Sequence, residues 1–316
     1  MGALALLGRH ATRFIAAGIF LALALPDLAA AMRPWLAAAV WGLLFLAMLR
    51  TDWAAALEHL KRVPVVLISV AWLLVLSPLV VWLSLKAVGA LGPGVASALI
   101  LMAAAPPLMS TPALALIIGL DGAFALVLMI GATFLAPFIL PVLTLGLLGL
   151  DLEISSWALS LRLMGFTGSA LVAVLLTRRV LMPARLAAVA APADGLVVVL
   201  MLVFAIAIMD GVTATLIAEP VHAMAVLAIA FTAHALFLVI TAMVFSWLGR
   251  PMALTLGFVS GNRNMGLLLA VLPAGLDPDI VLYFALAQFP IYVFPLMLKP
   301  FYGRFGPPTA PPTAPN

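Results

Sequence analysis

Apolar runs long enough to cross a bilayer follow one another along nearly the whole chain, and they constrain its fold more than any motif does. Ten can be marked, at approximately 12–31, 34–50, 64–86, 94–119, 122–148, 157–177, 195–211, 221–247, 251–275 and 279–301. A helix needs roughly 20 apolar residues to cross the hydrocarbon layer, and these runs are close to that length. The expectation is an all-α integral membrane protein with ten transmembrane helices and short loops. Of 316 residues, 66% are apolar and 8% charged, against about 45–50% and about 25% in soluble domains. That balance excludes a soluble enzyme and a disordered chain. The absence of cysteine removes disulfides, thiolate catalysis and Cys-ligated metals.

The basic residues report topology, not a nucleic-acid partner. In the ten-span reading the side holding both termini carries Arg9, Arg13, Arg50, Lys61, Arg62, Arg178, Arg179, Arg185, Arg250, Lys299 and Arg304. The other side carries only Arg33, Lys86 and Arg162, and Arg263 falls inside a span. This asymmetry places both termini in the cytoplasm of a multi-pass inner (plasma) membrane protein. No cleavable signal peptide is evident. Residues 1–305 read as one transmembrane domain, and 306–316, GPPTAPPTAPN, as a disordered Pro-rich tail.

An internal repeat is visible at an offset of 156. It lays Pro64 on Pro220, Pro107 on Arg263 and Asp121 on Asp277, dividing the chain into repeats of about 10–150 and 155–305. With five helices each, an odd number, the halves must be inverted in the membrane, a recurring transporter architecture.

Two spans are interrupted at matching positions. The fourth contains Pro106, Pro107 and Pro112, each of which removes a backbone donor. The ninth contains Ser260, Gly261, Asn262, Arg263 and Asn264, a polar stretch tolerated at membrane depth only against protein or a cavity. Paired broken helices are a pointer to a transport site. Arg263 has no acidic residue at its depth, so either backbone carbonyls of the broken helices or an anionic substrate must pair with it. On the second reading, Arg263→Ala abolishes anion binding and leaves the fold intact.

The stretches Leu101–Pro141 and Gly257–Gly275 resemble the two crossover regions of the bile acid:sodium symporter superfamily. The family's Glu-x-Gly-x-Gln-Asn motif falls on Val259 to Asn264, where Gly261 and Asn264 agree, Val259 replaces the glutamate and Arg263 the glutamine. Its Pro-Gly-Gly-Thr-x-Ser-Asn motif falls on Pro106 to Pro112; Pro106 agrees, Thr111 keeps a hydroxyl and Pro112 replaces the asparagine. Asp121 and Pro137 match the following turn and fifth-helix proline. The resemblance implies ten helices in two inverted halves, broken and crossing helices four and nine, and secondary active transport of a small or amphipathic organic anion by alternating access. It places substrate near Ser110, Thr111, Ser260, Asn262, Arg263 and Asn264. A sodium ion would lack its carboxylate and stand beside a guanidinium; two cations about 4 Å apart repel by roughly 4 kcal/mol at an effective dielectric near 20. Weakened or absent sodium coupling is therefore expected, with Arg263 in the electrostatic role of the cation and the proton as the other candidate coupling ion.

Other polar residues at depth are His234, a proton carrier or an interhelical hydrogen-bond partner, together with Gln288 and Thr133. The sequence contains neither a G-x-S-x-G elbow nor an HExxH motif, so no catalytic role, metal or cofactor is expected. The alternatives are a sodium-coupled organic anion symporter, a drug/metabolite-type exporter and, from another class, a membrane-embedded lipid transferase.

Overall fold

The computed structural model describes residues 18, 21–51, 63–147, 149–181, 190–273 and 275–302. The tail at 306–316 and Arg9, Arg13, Lys61, Arg62, Arg185 and Arg304 lie outside them, as does most of 12–31 before residue 21. The described α-helices are α1 (Pro26–Met32), α2 (Leu36–Leu49), α3 (Val63–Ala71), α4 (Ser77–Ala87), α5 (Val95–Ala104), α6 (Thr111–Ile117), α7 (Gly122–Pro141) and α8 (Ser156–Val180). They continue as α9 (Ala190–Ala207), α10 (Val212–Ala218), α11 (Pro220–Val244), α12 (Arg250–Gly261), α13 (Met265–Val271), α14 (Pro278–Leu286) and α15 (Gln288–Tyr302).

Among the described residues, seven helical runs are long and apolar enough to cross a membrane: Pro26–Leu49, Val63–Ala87, Gly122–Gly146, Ser156–Val180, Gly195–Ala218, Pro220–Val244 and Pro278–Tyr302. The protein is an all-helical, multi-pass membrane protein. The other described apolar segments, 94–119 and 251–275, are each cut in two, between α5 and α6 and between α12 and α13.

Several expected boundaries differ in detail. The boundary expected between 12–31 and 34–50 is not observed: Pro26–Leu49 is one helical run that passes through a 3-10 turn, Arg33–Trp35, with helical dihedrals. The chain leaves the helix earlier, at Leu25 (φ −127°, ψ 77°). The third span carries a π-helical turn, Trp72–Leu76, between α3 and α4, just before Pro78, whose ring cannot donate to the helix ladder. Pro137 and Pro141 precede a second π turn, Val142–Leu147, and the last span is divided at Ala287.

Local chemistry fixes the ends that matter. Asp121 accepts from Phe124 N at 2.9 Å and caps α7; Asp277 accepts from Asp279 N at 2.9 Å at the start of α14. Buried helix ends also recruit arginines as donors to carbonyls left without intrahelical partners. Arg178 Nη2 donates to Leu49 O and Thr51 O, both at 2.7 Å, and Arg162 Nη1 donates to Val271 O at 3.1 Å. Helices α11 and α12 pack so closely that a Cβ added at Gly257 would lie 2.5 Å from Leu238 O.

The repeat seen in the sequence recurs in the elements. Shifted by 156, the span Val63–Ala87 falls on 219–243, beside Pro220–Val244, and Gly122–Gly146 falls on 278–302, the span Pro278–Tyr302. Helix α5 likewise falls on 251–260, inside α12.

Candidate functional site

The two helix breaks meet each other. Pro107 and Arg263 form an antiparallel bridge, flanked by Leu108 N donating to Asn262 O at 2.9 Å and Asn264 N donating to Pro106 O at 2.8 Å. These two hydrogen bonds are mates under the 156-residue offset: 108 maps to 264, and 106 to 262. Each break thus supplies the partners that the other lost on leaving the helix, which is how irregular backbone survives at membrane depth.

Arg263 lies at the centre, fully buried. Its Nε donates to Ser260 O at 2.6 Å, and its Nη1 donates to Leu73 O at 2.8 Å and Ala105 O at 2.9 Å. Its Nη2 donates to Ser77 Oγ at 3.0 Å and Ser260 Oγ at 3.2 Å. A guanidinium has five N–H groups, and these five bonds use all of them. The ring of Phe237 lies 5.6 Å from its central carbon, within cation–π range. No acidic residue pairs with it among the described residues. Of the two partners the sequence left open, the structure supplies the backbone.

The geometry follows from how the helices end. Ala105 follows the last residue of α5, and Ser260 is the penultimate residue of α12. Both carbonyls belong to C-terminal sets that lack an intrahelical amide, and both helix ends carry partial negative charge. Leu73 lies in the π turn before Pro78, and its carbonyl also accepts from Ser77 Oγ at 3.1 Å. A single cation thus draws together the third span, the fourth-span break and the ninth-span break.

Around this saturated centre stands a ring of polar groups without partners. Thr111 Oγ1, Ser110 Oγ, Asn262 Oδ1 and Asn264 Nδ2 are buried and make no hydrogen bond, although Asn262 Nδ2 donates to Phe258 O at 2.7 Å and Asn264 Oδ1 accepts from Leu267 N at 3.0 Å. Thr111 joins the crossing through its amide, which donates to Leu108 O at 3.0 Å. Pro112 is the second residue of α6, a position that suits proline because its amide would be unpaired there anyway. Gly261 lets His234 approach: a Cβ there would stand 3.0 Å from His234 Nε2.

No protein-family model matches the chain, and no curated protein matches it. Its site is read from its own geometry.

Two expected residues stand apart from the crossing in bonding. Thr133 Oγ1 has no partner, although a bond back to the preceding turn, such as Thr144 makes to Leu140 O at 2.8 Å, was open to it. Pro137 also removes the amide that an unbroken helix would offer to the Thr133 carbonyl. Gln288 Nε2 donates to Phe284 O at 3.1 Å, and its Oε1 is unpartnered. Neither shares a hydrogen bond with the breaks.

Sequence reasoning missed the third span's part. Leu73, Ser77 and Phe237 complete the Arg263 cage, and the available signal was the Ser77-Pro78 pair, where proline frees a carbonyl and serine offers a hydroxyl. A recess of about 370 Å³ runs between α4 and α11. Ser77 and Phe237, two of the groups enclosing the guanidinium, form part of its wall.

Proposed function

We propose that the protein is a secondary active transporter that moves a small or amphipathic organic anion by alternating access, without sodium coupling. Ten helices in two inverted halves cross the inner (plasma) membrane, with both termini in the cytoplasm. The observation that carries this reading is the reciprocal pairing of the two breaks. Residues that touch their own repeat mates, through bonds that interchange under the 156-residue offset, lie on a pseudo-two-fold axis, and such an axis at midplane marks the site in inverted-repeat carriers.

The helix inventory supports ten crossings. The seven long runs and two broken segments make nine, and the helical residues 18 and 21–24 ahead of Pro26 belong to the tenth. Gly18 faces Leu202 and Ile206, Leu23 O accepts from Thr213 Oγ1 at 2.9 Å, and Gly42 faces Leu200. The chain therefore advances along one neighbour to residue 23 and has returned by residue 42, which makes two passes.

Arg263 sets the charge of the site. Its N–H groups are spent on protein oxygens, yet no carboxylate among the described residues balances its positive charge, so an anion beside the breaks is favoured electrostatically. Asn264 Nδ2 and the hydroxyls of Thr111 and Ser110 are free to donate. The carbonyls of Leu73, Ala105 and Ser260 already hold a cation bound covalently to the chain, and its charge would repel a sodium ion placed beside it. The unpartnered polar groups are open to substrate as one helix group rocks against the other.

Reconstituted vesicles test this directly. Exchange of labelled acetate, benzoate and decanoate should proceed equally with sodium or potassium outside. Steep dependence on a sodium gradient would make the protein a sodium-coupled symporter, and exchange of none of these anions would count against anion transport itself.

A further inference from the structure

We infer that His234 is the proton-binding site of this carrier and that a proton and the anion bind together, which makes the proton the coupling ion. This rests on the transport reading above and adds the ion that drives it.

His234 is 2% exposed, lies in the middle of α11, and its Nε2 has no hydrogen-bond partner. A buried polar nitrogen without a partner is costly, and histidines that serve as interhelical glue have one. This ring is instead held by shape: it stacks on Phe294 of α15 with centroids 4.8 Å apart and planes 9° from parallel. Its Nε2 faces Gly261, where the absent side chain leaves room at the end of α12. The next residue, Asn262, carries an unpartnered acceptor, Oδ1. A titratable nitrogen and an unused acceptor therefore flank one helix break.

The charges around His234 make this position a coupling device. Among the elements packed against α11, helix α12 carries Arg250 at its far end and leads to Arg263 at the depth of His234. Helix α14 carries Asp279 at its start, where it pairs with His222 at 2.7 Å, and Tyr283, whose hydroxyl is turned to Met102 Sδ at 3.1 Å. Helix α15 carries Tyr292, Lys299 and Tyr302; across the recess, α4 carries Lys86 at its end. Helix α10 and the turn Ser246–Leu248 carry no charge. The charge nearest in depth is thus that of Arg263. With the site empty, a proton on His234 would add a second cation beside a buried first one. With an anion beside the break, the pair of cations is balanced. Proton and anion therefore raise each other's affinity, as linked ligands must.

The test uses purified full-length protein in detergent, with benzoate and decanoate as probes. As the pH is lowered from about 8 to about 5.5, probe affinity from thermal shift should rise by up to about tenfold per pH unit. In weakly buffered solution, wild-type protein should take up about one proton per anion bound. His234→Gln should bind the probes with a flat pH dependence, whereas His222→Gln should keep the wild-type slope. A slope that survives in His234→Gln, or wild-type binding without proton uptake, overturns the proposal. The proton-uptake measurement decides the matter if His234→Gln fails to fold. Probe binding at no pH overturns the transport reading and this proposal with it, whereas binding without a proton overturns this proposal alone.

Discussion

The two breaks solve the same problem by opposite chemistry. In the fourth segment, Pro106 and Pro107 have no amide to satisfy, so the chain leaves the helix by deleting donors. In the ninth, the amides remain and side chains do the work: Asn262 bonds back to Phe258 O, Arg263 to Ser260 O, and Asn264 accepts from Leu267 N. The first break contributes backbone groups alone to the pairing, whereas the second also brings a side-chain donor to the first, since Arg263 reaches Ala105 O. Symmetry of the backbone therefore coexists with asymmetry of function, and the second half carries the burden of stability.

Four substitutions bear on that asymmetry. Removing the central cation should have the largest effect. Arg263→Ala leaves the carbonyls of Leu73, Ala105 and Ser260 and two hydroxyls without their donor, and should cost about 3–5 kcal/mol in detergent thermal unfolding. A variant that melts like wild type would make the cage irrelevant to the fold.

Next comes Gly257→Ala. The added methyl would lie 2.5 Å from Leu238 O, a backbone atom that cannot swing aside, and should cost about 1–3 kcal/mol. Its repeat mate is Leu101, fully buried, so a loss here shows that the halves tolerate bulk differently at one position.

Asn264→Ala should cost about 1 kcal/mol through loss of the cap on α13. Ser110→Ala, at the corresponding cap position of α6, should change stability by less than about 0.5 kcal/mol, because Ser110 makes no capping bond. Equal losses from these two alanine variants would show that the first break also relies on its side chains.

Much of this was legible in the sequence because it rests on backbone chemistry. Pro106-Pro107 and the polar stretch around Gly261 had to interrupt their helices, and the offset of 156 named the residues that pair. The same offset placed Asp121 on Asp277, and the structure shows each accepting an amide at a helix start. What the sequence hid was long-range: Ser77-Pro78 signals a freed carbonyl in the third segment, but not that Leu73 O turns toward residue 263, which depends on a π turn set by tertiary packing. The partner of Arg263 was undecidable for the same reason, because every residue has a carbonyl and only the fold selects three of them. The boundary between the first two expected spans was misplaced because Arg33 and Pro34 look like a loop, whereas the 3-10 turn at Arg33–Trp35 keeps helical dihedrals and the helix breaks at Leu25 instead.

The central claim is that the cation at the crossing belongs to the chain. It is tested most directly by the thermal stability of detergent-purified protein with benzoate or decanoate, in sodium and in potassium buffer. A ligand that binds only the folded state raises stability by mass action. The account predicts the same anion-dependent rise in both buffers. A rise that requires sodium would contradict it, placing a metal-ion site elsewhere in the fold and removing Arg263 from the cation's role.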